Sequence, residues 1–177
     1  RAPTVHERGR TGGRHARYGF FPPQSRGELN LMATMQNKRT PSPRKNGKAR
    51  VLLIDDHAIL RQGLAQLINQ ESDLMVCGEA DNGPAALQKI LALKPDVAIV
   101  DLSLKGSSGL ELIKQLRAQS LKLKLLVFTM RDEGIYAERA LRAGADGYIT
   151  KEEGTEKAIQ AIRMLLQGKR YLSDKVA

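Results

Sequence analysis

Five polar residues come directly after apolar, strand-like runs, and their types could together handle a phosphoryl group. Asp55 and Asp56 follow "VLLI", Asp101 follows "VAIV", Thr129 follows "LLVF" and Lys151 follows "GYIT". Neighbouring carboxylates repel, and more strongly when they lose water, so three of them need a compensating cation. Hard oxygen ligands suit Mg²⁺, and the ammonium of Lys151 adds a second positive charge. With that charge neutralised, Asp101 could act as a nucleophile in an in-line transfer and form an aspartyl phosphate.

Taken one at a time, these residues also have structural interpretations. An aspartate at a strand-to-helix junction is commonly an N-cap, and a threonine at a strand end suits the strand itself. His57 has no second histidine at ligand spacing, so it is interpreted as the first residue of a helix. The chain has no Gly-rich loop after its first strand, which argues against a nucleotide site there. The functional interpretation therefore depends on the whole set lying together.

The elements that must position these residues alternate strictly between strand and helix. Apolar runs predict strands at 50–54, 74–80, 96–102, 124–130 and 146–150, and stripes of period 3.6 predict helices at 57–70, 82–93, 107–119, 132–144 and 156–168. Pro84 suits a first helical turn, Ser108 and Glu111 have the spacing of a capping box, and Gly144 suits a helix end.

This alternation predicts an α/β fold, a doubly wound, three-layer domain with a five-stranded parallel sheet and helices on both faces. Strands that are continuous apolar runs, rather than alternating ones, agree with a sheet that is covered on both sides. In such sheets, sites form outside the carboxyl ends of the strands. The five polar residues are therefore expected at one edge of the sheet.

Charge is distributed unevenly along the 177 residues. The net charge is +10, but residues 1–50 hold 12 of the 29 Lys and Arg and only two of the 19 Asp and Glu, so residues 51–177 are neutral overall. Residues 1–47 are rich in Pro, Arg and Gly without periodicity and are predicted to be a disordered basic extension, either a nucleic-acid-binding arm or a leader without function. The single cysteine, Cys77, and the lack of an apolar run of about 18 residues favour a reduced, cytoplasmic protein that does not span a membrane.

From about residue 50 to residue 168, the order of acid pair, acid, threonine and lysine resembles the receiver domain of two-component response regulators, a flavodoxin-like (βα)5 fold. The segments "VDLSLKGSSGLEL", "RAGADGYITK" and "GKRYLS" are most similar to the branch whose receiver precedes a LuxR-type helix-turn-helix. The resemblance implies a receiver domain at 48–170 and, at 171–177, the start of a linker to an output domain that is absent from this chain.

The resemblance also implies roles for individual residues. Asp101 would be the phosphoacceptor, and Mg²⁺ (or Mn²⁺) would bind to Asp56, Asp101 and the main-chain carbonyl of Ser103, with Asp55 acting mainly through water. Thr129 would turn its hydroxyl to the phosphoryl group, Lys151 would pair with it, and Tyr148 would move inward with Thr129.

The implied partners are a histidine kinase or phosphotransfer protein and a second copy of the chain after phosphorylation. DNA would be contacted only through the missing C-terminal domain. Such a protein is a switch that catalyses its own phosphoryl uptake and slow hydrolysis, and is not an enzyme in the usual sense.

The chain departs from the common receiver pattern at four positions. Lys105 stands where many receivers have proline, Met130 is bulkier than the usual small residue, and Ser103 and Arg131 lie where side chains govern attacking water. Two other functions stay open: a stand-alone receiver that acts by protein–protein interaction, and a Mg²⁺-dependent phosphohydrolase. Hydrolases of that kind place a second acid two residues after the nucleophile, and Ser103 occupies that position.

Overall fold

The structure, a computed structural model, describes residues 47–119 and 121–173. The expected disordered extension, except for residue 47, and the last four residues of the expected linker lie outside these ranges. Among the described residues, no helix is long and apolar enough to cross a membrane.

The five strands of the main sheet alternate with five helices along the described chain, as the sequence predicts. The strands are β1 (Ala49–Ile54), β2 (Leu74–Ala80), β3 (Val97–Val100), β4 (Lys124–Thr129) and β5 (Gly147–Thr150). The helices are α1 (Ala58–Gln70), α2 (Gly83–Leu93), α3 (Gly109–Ala118), α4 (Glu133–Ala143) and α5 (Thr155–Leu166), and a 3₁₀ turn (Lys151–Glu153) follows β5.

The strands form one parallel sheet in the order β2-β1-β3-β4-β5. The order reverses direction between β1 and β3, so loops at the carboxyl ends of these two strands diverge and leave a crevice between them. The predicted doubly wound parallel sheet is confirmed.

Each face of the sheet carries its own apolar core, which makes the three layers. On one face, β-strand residues such as Leu52 and Val100 pack with Ile90 of α2, Ile113 of α3 and Ala140 of α4. On the other face, the strands pack with α1 and α5, through residues that include Ile68 and Ile162. Each fully buried Leu or Ile contributes about 1.5 to 3 kcal/mol, so both cores hold the strand ends in place.

Two of the three expected helix-end features form and one does not. Pro84 lies in the first turn of α2, where Asn82 caps the helix by accepting a hydrogen bond from the Ala85 amide, and Gly144 ends α4 with φ 115°. The expected capping box at Ser108 does not form, because the Ser108 side chain makes no cap hydrogen bond. Ser108 instead belongs to a two-residue antiparallel pair, Ser103–Leu104 with Ser107–Ser108, which the sequence did not predict.

The chain beyond α5 returns to the sheet along the outer side of β5. Tyr171 bridges to Gly147, and the Tyr148 amide donates a hydrogen bond to the Tyr171 carbonyl at 3.0 Å. This contact covers part of the open edge of β5 and brings Ser173 next to the start of α4, where it donates a hydrogen bond to Glu133.

Candidate functional site

Asp101 is the most deeply buried acid at the carboxyl end of the sheet. Its amide continues the β1–β3 ladder by donating to the Ile54 carbonyl at 2.9 Å, and the residue is 2% exposed. Oδ1 accepts hydrogen bonds from the Thr129 hydroxyl at 2.8 Å and from the Ser103 amide at 3.1 Å. Oδ2 accepts one from the Lys151 ammonium at 2.9 Å. The carboxylate is therefore fixed in direction by donors from three separate segments of the chain.

Lys151 links two of the acids. Its Nζ lies 2.7 Å from Asp55 Oδ2 and 2.9 Å from Asp101 Oδ2, and its side chain is 6% exposed. Burial by itself would lower the pKa of Lys151, but the hydrogen bonds and charges of Asp55 and Asp101 outweigh burial and raise the pKa. The lysine is therefore a fixed positive charge at neutral pH.

A cluster of four groups lies beside this lysine. Asp55, Asp56, His57 and Asp101 each offer one ligand atom, and the four atoms lie within 4.8 Å of one another. His57 Nδ1 is 3.0 Å from Asp55 Oδ1, 3.1 Å from Asp56 Oδ1 and 3.8 Å from Asp101 Oδ2. The Nδ1 atom of the imidazole thus faces the three carboxylates, while the His57 side chain as a whole is 62% exposed.

The donor set of this cluster fits a divalent cation of the Mg²⁺ type. Carboxylate oxygens are the ligands that Mg²⁺ prefers, and three acids in one crevice need more positive charge than Lys151 supplies. Asp56 Oδ1 is buried and accepts no hydrogen bond, with only His57 Nδ1 nearby at 3.1 Å, so this oxygen is available as a metal ligand. The Ser103 amide is hydrogen-bonded to Asp101, so Ser103 lies beside the cluster; its carbonyl as a metal ligand stays a prediction.

The residues expected to move inward already lie inward. Thr129 is fully buried with its hydroxyl on Asp101, and Tyr148 is fully buried with its phenol donating to the Arg131 carbonyl at 2.9 Å. Burial, aided by the charges of Glu133 and other acids, raises the pKa of Tyr148. Arg131 also donates from Nε to the Ser103 hydroxyl at 2.9 Å, so this arginine joins the site to the Tyr148 side of the sheet.

The structure brings together Asp55, Asp56, Asp101, Thr129 and Lys151, with Ser103 and Tyr148 adjacent, at the edge where the strand order places them. Sequence reasoning missed the position of the His57 ring. The only available signal was its place directly after the acid pair, and one histidine at that place is equally typical of a helix N-terminus. His57 is in fact the residue that precedes α1.

The comparisons with known proteins agree with this geometry. The family model of the response regulator receiver domain matches residues 51–163. The chain is 38% identical over 128 residues to "Response regulator GacA" of Pseudomonas viridiflava, covering 72% of this chain and 60% of that protein. It is also 38% identical over 126 residues to "Nitrate/nitrite response regulator protein NarL" of Escherichia coli K12, covering 71% and 58%. The chain therefore spans about three fifths of these relatives' length.

Among solved structures, a LuxR-family two-component response regulator from Aurantimonas superposes with a TM-score of 0.69 at 34% identity, covering 73% of this chain and 92% of that one. The match of the family model covers well over half of the chain, and the acidic cluster with Lys151 lies inside the matched region. The chain belongs to the response regulator receiver domain family.

Proposed function

We propose that Asp101 accepts a phosphoryl group from the phosphohistidine of a histidine kinase or phosphotransfer protein. The metal, Mg²⁺ or Mn²⁺, would be held by Asp55, Asp56, Asp101 and the Ser103 carbonyl. The observation that carries the proposal is the Asp101 carboxylate, buried at the end of β3 between the Thr129 hydroxyl and the Lys151 ammonium. A buried structural aspartate would also need donors on both oxygens, but it would not need two further acids beside it, as Asp101 has in Asp55 and Asp56.

Asp101, Lys151 and Thr129 have different roles in the transfer. An oxygen of Asp101 forms the new bond to phosphorus as the bond from phosphorus to the donor's imidazole nitrogen breaks, and the imidazole leaves. Lys151, already a charge at 2.9 Å, pairs with an oxygen of the incoming group, and the Thr129 hydroxyl turns from Asp101 to donate to another. A bound divalent cation supplies further neutralisation of the charge on the phosphoryl oxygens.

The phosphorylated state is proposed to act through the surface of α4, β5 and α5 around Tyr148. A phosphoryl group that draws the Thr129 hydroxyl away from Asp101 also changes the loop that Arg131 shares with Tyr148, since the Tyr148 phenol donates to the Arg131 carbonyl. We propose that this change favours a homodimer and, in the full-length cytoplasmic protein, controls a DNA-binding output domain. The division into a basic extension (1–47), a receiver (48–170) and a linker start (171–177) belongs to the same proposal.

A phosphohydrolase is the less favoured function. Its second acid would stand at Ser103, where the hydroxyl accepts a hydrogen bond from Arg131 and offers no carboxylate for general acid–base chemistry. A receiver that acts alone through protein–protein contacts would share all of the chemistry above. It differs only in what the switched surface contacts.

Incubation with acetyl phosphate tests the proposal. With Mg²⁺, intact mass should show one phosphoryl group per chain, and chelator should abolish it. Release of inorganic phosphate should be slow and should not exceed the decay rate of the adduct. Many turnovers on a phosphomonoester, with no adduct that accumulates, would favour the hydrolase instead.

A further inference from the structure

A cleft of about 550 Å³ lies beyond the carboxyl ends of β4 and β5, between the start of α4, the 3₁₀ turn after β5 and the returning chain at Ser173. It uses none of the acids of the Asp101 cluster. The charged residues that line it are Arg131, Asp132, Glu133, Glu152, Glu153 and Lys157.

The two cations of the cleft are already engaged by residues of the domain. Lys157 Nζ pairs with Glu153 Oε2 at 3.5 Å, and the Arg131 guanidinium is bound to Ser103 and lies 5.6 Å from the Tyr136 ring centroid. Within residues 47–119 and 121–173, no cation lies at ion-pair distance from Asp132, Glu133 or Glu152. The unbalanced charge of the cleft is therefore negative.

Glu133 places a buried carboxylate in the wall of the cleft. It is 5% exposed, and its Oε2 accepts a hydrogen bond from the Ser173 hydroxyl. Its Oε1 is enclosed and has no hydrogen-bond partner among the described residues. A buried carboxylate oxygen without a donor is unfavourable, so a ligand that brings a donor to this wall of the cleft gains the bond that the domain leaves unmade.

An exposed apolar side chain also lines the cleft: Met130, which is 63% exposed. A simple cation would leave this side chain in water. A peptide segment that carries a basic residue next to an apolar one would satisfy the carboxylates and cover Met130 together.

We propose that this cleft binds an arginine or lysine side chain presented by a partner protein, with Glu133 as its buried carboxylate and Met130 contacting an adjacent apolar residue. This goes beyond phosphoryl transfer, because the unphosphorylated chain already has the cleft and its charge.

The probe is the capped tripeptide acetyl-Leu-Arg-Leu-amide, titrated into the ¹⁵N-labelled chain and followed by amide chemical shifts. We expect saturable shifts centred on Glu133, Gly134, Thr150 and Ser173. Replacing the arginine of the peptide by citrulline keeps the shape and removes the charge, and should weaken binding about ten-fold. The variant Glu133→Gln should weaken it by the same factor, because each change removes about one charge-assisted hydrogen bond. Glu138→Gln, an exposed α4 residue paired with Arg142, is the matched control and should leave binding unchanged.

If Glu133→Gln alters the fold, Glu152→Gln, on the exposed side of the cleft, replaces it and should weaken binding by a smaller factor. Equal binding of the citrulline peptide, or shifts centred elsewhere, would overturn the proposal. Binding that appears only after removal of residues 174–177 would also overturn it, because the chain's own Lys175 would then be the occupant. Each readout is taken without phosphodonor, so it fails or succeeds separately from the phosphorylation of Asp101.

Discussion

Lys151→Met should destabilise the domain through the acids that it leaves behind. The lysine makes two charge-assisted contacts, at 2.7 Å to Asp55 and 2.9 Å to Asp101, and its side chain is 6% exposed. Methionine keeps most of the packing volume but offers no donor. The Asp101 carboxylate, 2% exposed, then retains only the Thr129 and Ser103 hydrogen bonds.

Removing one partner of a buried ion pair costs about 3 to 5 kcal/mol. The lower end applies here, because Asp55 and Asp56 keep some contact with water. We therefore expect the free energy of unfolding in chelator to fall by about 3 kcal/mol. Saturating Mg²⁺ should reduce the difference in the free energy of unfolding between variant and wild type by about 1 to 2 kcal/mol. The reason is that the acids attract the metal more strongly when the lysine is gone.

Urea unfolding with chelator and with Mg²⁺ measures both effects. Lys157→Met is the matched control: its ammonium is exposed and pairs with Glu153 at 3.5 Å, so its loss should cost less than about 1 kcal/mol. A Lys151→Met variant that is no less stable than Lys157→Met in chelator would contradict the role of the two buried contacts. So would a stability difference between Lys151→Met and wild type that Mg²⁺ leaves unchanged.

Three further predictions follow from the same contacts. In Tyr148→Phe, loss of the hydrogen bond to the Arg131 carbonyl should lower the free energy of unfolding by about 1 kcal/mol at neutral pH. The folded-state pKa of the phenol lies above its usual value of 10.0, so the wild type keeps the stabilisation from this group below that pH and loses it as the pH rises. The midpoint of urea unfolding should therefore fall less steeply with alkaline pH in the variant than in the wild type. Gly109→Ala should destabilise the domain by about 1 to 3 kcal/mol and slow phosphoryl uptake, since the added Cβ would clash with the Asp101 carbonyl. Urea unfolding measures the stability, and the mass of the phosphorylated chain against time measures the uptake. Wild-type values for both would contradict the expected clash. Ser103→Ala removes the hydroxyl that binds Arg131 and should shorten the lifetime of the phosphorylated state about 2- to 10-fold. The measurement is the decay of the phosphorylated mass after removal of phosphodonor. An unchanged decay rate would show that the Ser103–Arg131 hydrogen bond does not shield the phosphorylated Asp101.

The fold and the meeting of the site residues could be predicted because both follow from regular features of the sequence. Continuous apolar runs alternate with helical stripes, and right-handed parallel connections leave every strand's carboxyl end on one edge. Asp101 and Lys151 are 50 residues apart in the chain, yet the end of β3 and the end of β5 must face the same way. That requirement, rather than any local signal, brings the two side chains to 2.9 Å.

Other features depend on contacts that local patterns do not encode. His57 precedes α1, and at that position its ring could equally point to solvent. The acids near its Nδ1 atom follow two different strands, so their position relative to His57 is known only from the fold. The Ser108 side chain fails to cap α3 because its backbone pairs with Ser103. The "YLS" segment is too short to be predicted as a strand, and its partner is the open edge of β5, whose position is known only once the sheet order is known.

A comparison of intact masses tests most simply whether Asp101 is the phosphoacceptor. Wild type, Asp101→Asn and the exposed-acid control Asp81→Asn are incubated with Mg²⁺ and acetyl phosphate, and their intact masses are compared. Asp101 lies at the crevice and Asp81 follows the end of the edge strand β2, so we expect one phosphoryl group on wild type and Asp81→Asn and none on Asp101→Asn. An equal, Mg²⁺-dependent adduct on Asp101→Asn would contradict this expectation.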